Sequence, residues 1–540
     1  FSFQRFKGMT PHSINWGDFY IKYALAAAQD AIDDSGGHAF TNIRDKTFVA
    51  VGHYNYETKA IRHFSDVALQ IFVEDLKATP SFLALSKNDQ MATLKELEQN
   101  FFKTHEVLPQ ETIVSSMAPS VASRITKVNK FNGGFTSVDS ACASSMAALD
   151  IAVRRLRDKS SAAAVVGGIG VVSPYFYVHC SKAHTMSTQG SFPFDKKASG
   201  CVVGEGSGFV VIKALSEALK NKDRIHGVIR GVAGSSDGSK RGPWAPNKLG
   251  QAMAVHRALS QAQYGFDEVD YVECHGTGTQ VGDKEELACL VSLSEEAKSQ
   301  KKRFIGSAKG AVGHLLPGAG MAGLLRVVMA LKHHQFPPTA GVTNPIDELQ
   351  DSPFEILTSI RDWPRSNPSK PRRAMVNCFG FGGTNYNLQV EEYVESFHAD
   401  YLAASSQNFR KNLRQYRSID VLSSDNYNIP IAVVGLGIKL PGSNNIHEFH
   451  QNNLLGNTCF QKIPENRYKE KYCKGFEAIA GKKAAESLGG YVDLPSEESK
   501  LNWKISPAEI KDVDPNQFRL FEVVKQALQD ARLVERKDLL

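Results

Sequence analysis

Apolar positions along the chain fall into blocks of two kinds. Short apolar runs break off at glycine, serine or threonine: Gly134-Phe135-Thr136-Ser137-Val138, Val269 to Cys274, Phe304 to Ala308, Ala374 to Cys378 and Tyr386 to Val390. Their length and abrupt ends predict β-strands. Longer stretches carry apolar residues at helical spacing. From Ser144 onward, Met146, Leu149, Ile151, Val153 and Leu156 predict a helix with one apolar face. Phe19 to Ser35 and Phe518 to Leu533 predict two more. Strands alternating with helices indicate an α/β chain, and in such folds chemistry gathers at the C-terminal ends of strands.

Three reactive side chains stand beyond such ends. Cys142 lies in Val138-Asp139-Ser140-Ala141-Cys142-Ala143-Ser144-Ser145, between a predicted strand and a predicted helix. A thiol at a helix N-terminus meets the positive end of the dipole and unpaired N–H groups, which lowers its pKa and favours thiolate. A small core cysteine fits the same position. His275 follows the strand Val269 to Cys274 and opens His275-Gly276-Thr277-Gly278-Thr279. His314 lies in Gly306-Ser307-Ala308-Lys309-Gly310-Ala311-Val312-Gly313-His314, where a strand runs into a glycine-rich turn and a helix. Either histidine alone reads as a hydrogen-bonded structural group. Two at strand ends beside Cys142 read as a reactive set. In Val376-Asn377-Cys378-Phe379-Gly380-Phe381-Gly382-Gly383-Thr384-Asn385 the glycines expose backbone N–H groups or turn the chain between two strands, and spacing alone favours the turn.

In chain order, five segments resemble the β-ketoacyl synthases, the condensing enzymes of fatty-acid and polyketide assembly. They are Asp139 to Ser145; Pro193-Phe194-Asp195 with Gly204-Glu205-Gly206-Ser207-Gly208; His275 to Thr279; Lys309 with Gly313-His314; and Gly380 to Asn385. The likeness spans about Trp16 to Glu392. It implies a thiolase-like layered αβαβα fold from two similar βαβ-rich halves, Cys142 in the first and His275 and His314 in the second. Thiolases carry a second cysteine where this family has its second histidine, so His314 points to decarboxylative condensation.

The resemblance also implies roles. Cys142 would hold the acyl chain as a thioester, and His275 and His314 would donate hydrogen bonds to the enolate left when a malonyl thioester loses CO2. The backbone N–H groups of Cys142 and Phe381 would bind the acyl carbonyl oxygen, with Phe381, Gly380 and Gly382 forming a gate. Lys309 and Glu205 would support the site, while Asp283 and Glu286 look structural. Thr277 and Thr279 would bind a phosphopantetheine arm delivered by an acyl carrier protein domain or coenzyme A, with no cofactor resident in the chain. The implied assembly is a homodimer, with Met117 to Val128 at its interface and beside the acyl pocket. A non-catalytic ketosynthase-like docking module of a multienzyme is the alternative function.

Composition narrows the remaining choices. The chain has 540 residues, 42% of them hydrophobic, ample for a large core. Its eight cysteines show no disulfide framework, the usage of a reduced, cytoplasmic protein. There is no C-x-x-C pair, and adjacent Cys274 and His275 suit one metal ion poorly, so no metal site is expected. No apolar run of membrane-spanning length occurs. The net charge of +6 is spread out, and the sequence lacks the aromatic-interleaved basic stripe of nucleic-acid binding. Basic groups such as Lys301-Lys302-Arg303 read as solvated faces or as docking points for an acidic carrier protein.

The order of features is unusual. Phe1 opens without the apolar strand and Gly-x-Gly turn that begin a complete ketosynthase. Those features occur instead at Ile429-Pro430-Ile431-Ala432-Val433-Val434-Gly435-Leu436-Gly437, followed by Ile463 to Tyr468, Gly489-Gly490-Tyr491 and Asp514 to Gln517. The helix from Phe518 resembles the one from Phe19. The expected layout is a ketosynthase without its opening strand region (1–395), a Ser/Asn-rich linker (396–428) and a partial second copy, the N-terminal part of a ketosynthase-like domain (429–540). A fold-back, in which 429–540 supplies the missing strand, conflicts with the duplicated helix.

Overall fold

The computed structural model describes residues 19–54, 60–103, 117–172, 174–183, 185–238, 245–365, 367–400, 432–462, 464, 488, 490–492 and 514–533. It divides into two compact units, one of residues 1–59 and 108–425, the other of 60–107 and 426–540.

The first unit opens with α1 (Phe19–Asp34), β1 (Thr47–Gly52), α2 (Ser120–Asn129), β2 (Phe135–Val138), α3 (Ser144–Arg157), β3 (Ala163–Gly170) and β4 (Gly206–Lys213). Its strands form a sheet in the order β2-β1-β3-β4, with β4 antiparallel to β3 and the rest parallel. A second half follows: β5 (Val228–Ser236), α4 (Lys248–Ala262), β6 (Tyr271–Glu273), α5 (Gln280–Glu296), β7 (Arg303–Gly306), α6 (Ala319–His333), β8 (Phe354–Ile356), β9 (Arg373–Gly380) and β10 (Thr384–Glu391). Its sheet runs β5-β10-β9-β6-β7-β8. The run β7-β6-β9-β10 repeats β2-β1-β3-β4, so the halves share one topology. Beside β10 lies β5; among the described residues the matching edge of β4 carries no strand.

Side-chain alternation along the strands sets the layers. Val49 and Val51 face α1 and α2, packing with Tyr20, Ile21, Leu25, Val121 and Ile125. Phe48 and Ala50 face the other way, into a core shared by α3, α6 and one face of the second sheet, including Met146, Leu149, Met321, Leu324, Val376 and Leu388. Val272, Met375 and Ile305 cover the far face of that sheet and pack against Val255 and Leu259 of α4 and Leu287 and Leu290 of α5. The result is the five-layer αβαβα arrangement of the thiolase-like fold. Its central strands are buried on both faces, as β1 and β3 are at every position, which is why they read as continuous apolar runs.

Close approach at the middle layer requires glycine. A Cβ on Gly52 would lie 2.3 Å from the backbone nitrogen of Ser145, at the start of α3. Gly52→Ala is therefore expected to destabilise the fold by about 1–3 kcal/mol, the usual cost of overpacking, as a lowered denaturant midpoint.

In the second unit, helices Ala60–Lys77, Lys87–Lys103 and Ile446–Leu455 accompany α7 (Pro515–Asp530). The strand expected from Ile429 does not appear as one in its described part. Residues 432–439 have no strand partner among the described residues, and side chains of α7 take two of their N–H groups: Leu436 donates to Asp530 at 2.9 Å and Ile438 to Gln526 at 3.1 Å. Residues 396–400, expected to begin the linker, are helical, and buried His398 meets Glu391 at 3.1 Å. The rest of that linker, residues 429–431, Ile463, Glu465 to Tyr468 and Gly489 lie outside the described residues.

Candidate active site

Cys142 sits in a tight elbow between β2 and α3. Ala141 adopts a left-handed conformation with φ 48°, held because its N–H donates to Asp139 Oδ1 at 2.9 Å. Ser144 Oγ accepts from the Ser140 N–H at 2.9 Å and donates to the Ala141 carbonyl. From the other half, the glycine loop presses on this elbow: a Cβ on Gly380 would stand 2.5 Å from the Ser140 carbonyl oxygen. β9 and β10 pair up to Gly380 and Thr384, so the loop is the hairpin turn favoured by its spacing. It also brings the Phe381 N–H to the Cys142 thiol. Phe381 itself is 46% exposed.

His275 follows β6. Its backbone N–H and that of Gly276 donate to the two oxygens of Glu286 at 2.8 and 2.9 Å. Three residues earlier on α5, Asp283 accepts from the N–H groups of Phe194 at 2.7 Å and Gly278 at 3.2 Å. Two carboxylates one helical turn apart thus brace the whole His275–Thr279 loop. The hydroxyls of Thr277 and Thr279 lie 3.0 Å apart, half-buried. Asn377 completes the brace by donating to Glu286 at 2.8 Å, and cross-strand Asn387 orients it by donating to its carbonyl oxygen at 2.8 Å.

His314 is fixed by its backbone, its N–H donating to the Val202 carbonyl at 2.7 Å and its carbonyl accepting from Gly204 at 2.9 Å. Glu205 is thus next to the residue that anchors His314, but its own side chain is exposed. The rings of His275 and His314 stand edge to face with centroids 5.5 Å apart. In each, Nδ1 accepts a backbone N–H, from Phe379 at 3.3 Å and from Leu316 at 3.2 Å. That assigns the ring proton to Nε2 in both. Buried Lys309 completes the set. A cavity of about 10 Å³, room for one water, lies against it and is lined by Glu273, Val312 and Asn377.

Burial governs the protonation states. Desolvation, then the Lys309 charge, holds His275 and His314 well below the usual histidine range, so both are neutral at pH 7. Unfolded histidines protonate near 6.5. These groups therefore favour the fold fully above that pH and oppose it increasingly as pH falls below it. Burial and the Glu286 charge raise Asp283 to about 7, against hydrogen bonds from Phe194, Gly278 and Thr277.

Cys142 reverses an expectation. Its pKa is not lowered: burial pushes the thiol up to about 12, with Lys309 and the Phe381 N–H pulling the other way. Iodoacetamide alkylation of Cys142 should therefore speed up about tenfold per pH unit from about pH 7 to 10. A plateau near neutrality would show a depressed pKa instead.

The structure thus gathers Cys142, His275, His314, Lys309 and the Phe381 N–H, with Thr277 and Thr279 on the braced loop. The sequence reading missed two participants, the Cys378 side chain and the Phe379 N–H. Their signal was position: both directly precede the glycine loop. The arrangement offers a thiol nucleophile and two fixed neutral N–H donors for a developing anion.

Residues 3–218, and separately 428–539, match the family described as Beta-ketoacyl synthase, N-terminal domain; residues 226–343 match Beta-ketoacyl synthase, C-terminal domain. The chain is 39% identical over 288 residues to a polyunsaturated fatty acid synthase subunit from Thraustochytrium sp., covering 52% of this chain and 10% of that protein. It is 35% identical over 280 residues to pikromycin polyketide synthase component PikAII of Streptomyces venezuelae, covering 51% and 8%. Against the hybrid PKS-NRPs synthetase opdA of Penicillium oxalicum it is 32% identical over 373 residues, covering 65% and 9%. The chain spans about a tenth or less of the length of these relatives. Among solved structures, the ketosynthase from module 1 of the bacillaene synthase of Bacillus amyloliquefaciens aligns with a TM-score of 0.59 at 27% identity, over 72% of this chain and 64% of that one. The PfaC keto synthase-chain length factor shares the fold, with a TM-score of 0.74 at 23% identity over 96% of this chain and 52% of that one. With both domains of the family matched over most of its length, the chain belongs to the beta-ketoacyl synthases.

Proposed function

We propose that the chain is a β-ketoacyl-acyl carrier protein synthase that extends an acyl chain by decarboxylative Claisen condensation. One observation carries this reading: two neutral imidazoles, each with Nδ1 tied to a backbone N–H and so with its proton on Nε2, stand edge to face, and the Lys309 charge acts on both and on Cys142. In the first step the Cys142 sulfur attacks an acyl thioester. A new S–acyl bond forms, the carrier's S–acyl bond breaks, and the thiol proton leaves with the carrier sulfur. The N–H groups of Cys142 and Phe381 bind the carbonyl oxygen as it becomes negative. In the second step a malonyl thioester loses CO2, and His275 and His314 stabilise the enolate oxygen. The enolate carbon bonds to the acyl carbon, the bond to Cys142 breaks, and the sulfur regains a proton. Lys309 supplies positive charge, Glu205 belongs to the support of His314, and Gly380 and Gly382 let Phe381 move. Thr277 and Thr279 hold the phosphopantetheine arm, brought by an acyl carrier protein domain or coenzyme A.

The same reading assigns residues 1–395 to this ketosynthase and 429–540 to the start of a second ketosynthase-like domain, joined by 396–428. Supporting it, Gly435 and Gly437 leave room for the Ala527 and Val523 carbonyls of α7 just as Gly231 of β5 does for the Ala258 carbonyl of α4. Close approach of a glycine-bearing segment to helix carbonyls thus occurs in both places. The exposed edge strand β2 supports pairing into a homodimer. No helix among the described residues is long and apolar enough to cross a membrane, in keeping with a cytoplasmic assembly.

The test is trapping. The chain is incubated with an acyl thioester, with and without prior iodoacetamide, and the adduct is located by peptide mass spectrometry. Acylation confined to Cys142 and blocked by alkylation is the expected result. A folded chain that never acylates would instead be a docking module.

A further inference from the structure

We infer that Cys378 is a positioning residue for the nucleophile: its thiol donates to the Cys142 carbonyl oxygen at 3.1 Å and so holds the elbow that aims the Cys142 sulfur. The inference rests on the reading of Cys142 as the acyl acceptor.

Cys378 is fully buried on β9 and shares the face of Ala374 and Val376, toward the central helices. Asn377 takes the opposite course, to Glu286 and the His275 loop. Within the elbow, the carbonyls of Ser140, Ala141 and Ala143 accept backbone N–H groups from Ala143, Ser144 and Met146. The Cys142 carbonyl is met by a side chain from the other half of the fold. Its direction sets the peptide plane after Cys142 and thereby the path of the side chain. The same sulfur accepts the Gly320 N–H. Gly320 lies in the first turn of α6, six residues after His314, and a Cβ there would stand 2.7 Å from Met146 of α3. One thiol therefore ties the nucleophile elbow to the helix that follows the second histidine. Gly380 touches the same elbow two residues further on.

Displacing a reacting atom by about 1 Å can cost on the order of 10²-fold in rate. The experiment compares the full chain with C378A, which loses both bonds, and C378S, whose hydroxyl can make both. Two rates are read on each: acylation of Cys142 by an acyl thioester, and decarboxylation of a malonyl thioester. The expected result is that C378A acylates about 10- to 100-fold more slowly with decarboxylation changed less than about threefold, and that C378S restores acylation. Equal acylation in C378A, a parallel fall of both rates, or failure of C378S to rescue overturns the inference. If C378A does not fold, C378V, which fills the volume without a polar hydrogen, carries the same two readings. If neither folds while C378S does, the thiol is structural and the inference is overturned. A wild-type chain that never acylates sinks the parent reading instead.

Discussion

Cys142→Ala is expected to abolish the acyl adduct and to lower condensation by about 10⁴-fold or more, because the acyl chain loses the thiol that holds it and the neighbouring Cys378 thiol is fully buried. Decarboxylation of a malonyl thioester should survive, since both imidazoles remain. The fold should survive too: the residue is small and lies in an elbow held by Asp139 and Ser144. The measurement is condensation product by mass spectrometry beside a release assay for CO2. Condensation by C142A at more than a hundredth of the wild-type rate would sink the nucleophile assignment.

Removing either imidazole should give the opposite split. His314→Ala is expected to lower decarboxylation by about 10²–10³-fold, the cost of one donor to a developing oxyanion, or about 2.7–4 kcal/mol. Acylation of Cys142 should change little. His275→Ala should act alike, and either alanine should also destabilise the fold by about 1–3 kcal/mol, because the Phe379 or the Leu316 N–H loses its acceptor. Asparagine at position 314 keeps an N–H donor and should recover part of the rate. The pH profile follows from the same burial. Both histidines are held well below the usual range, so decarboxylation should stay flat as pH falls from about 8 to 6.5 and decline only below that. An acid limb near 7 would show that a group of the site titrates there, either an imidazole or Asp283 on the braced loop, which burial raises to about 7.

Much of the site was legible in the chain. Cys142, His275 and His314 each follow an apolar run that ends in a turn, and the structure places all three beyond strand ends. The hairpin after Cys378 was legible from its glycines, which lie between two strands in register. Less legible was Ile429 onward. An apolar run with glycines reads as a strand, yet a strand needs a neighbour, and residues 432–439 bond to α7 instead. Glu205 shows the same limit. Its motif lies beside His314, but backbone groups of Val202 and Gly204 make the contact.

The sequence by itself determined most element types and the α/β class, because hydrophobic period acts over a few neighbouring residues; the layered arrangement and the candidate roles of Cys142, His275 and His314 came from the family resemblance. Tertiary structure alone decided how those residues are charged and aimed. The helix end argued for a low thiol pKa, and burial holds it high instead. The His275 tautomer depends on the N–H group of Phe379, 104 residues away, and the elbow depends on Cys378, which is 236 residues from Cys142. Hydrogen bonds over such separations leave no local pattern, since only the packed sheets and central helices bring their partners together.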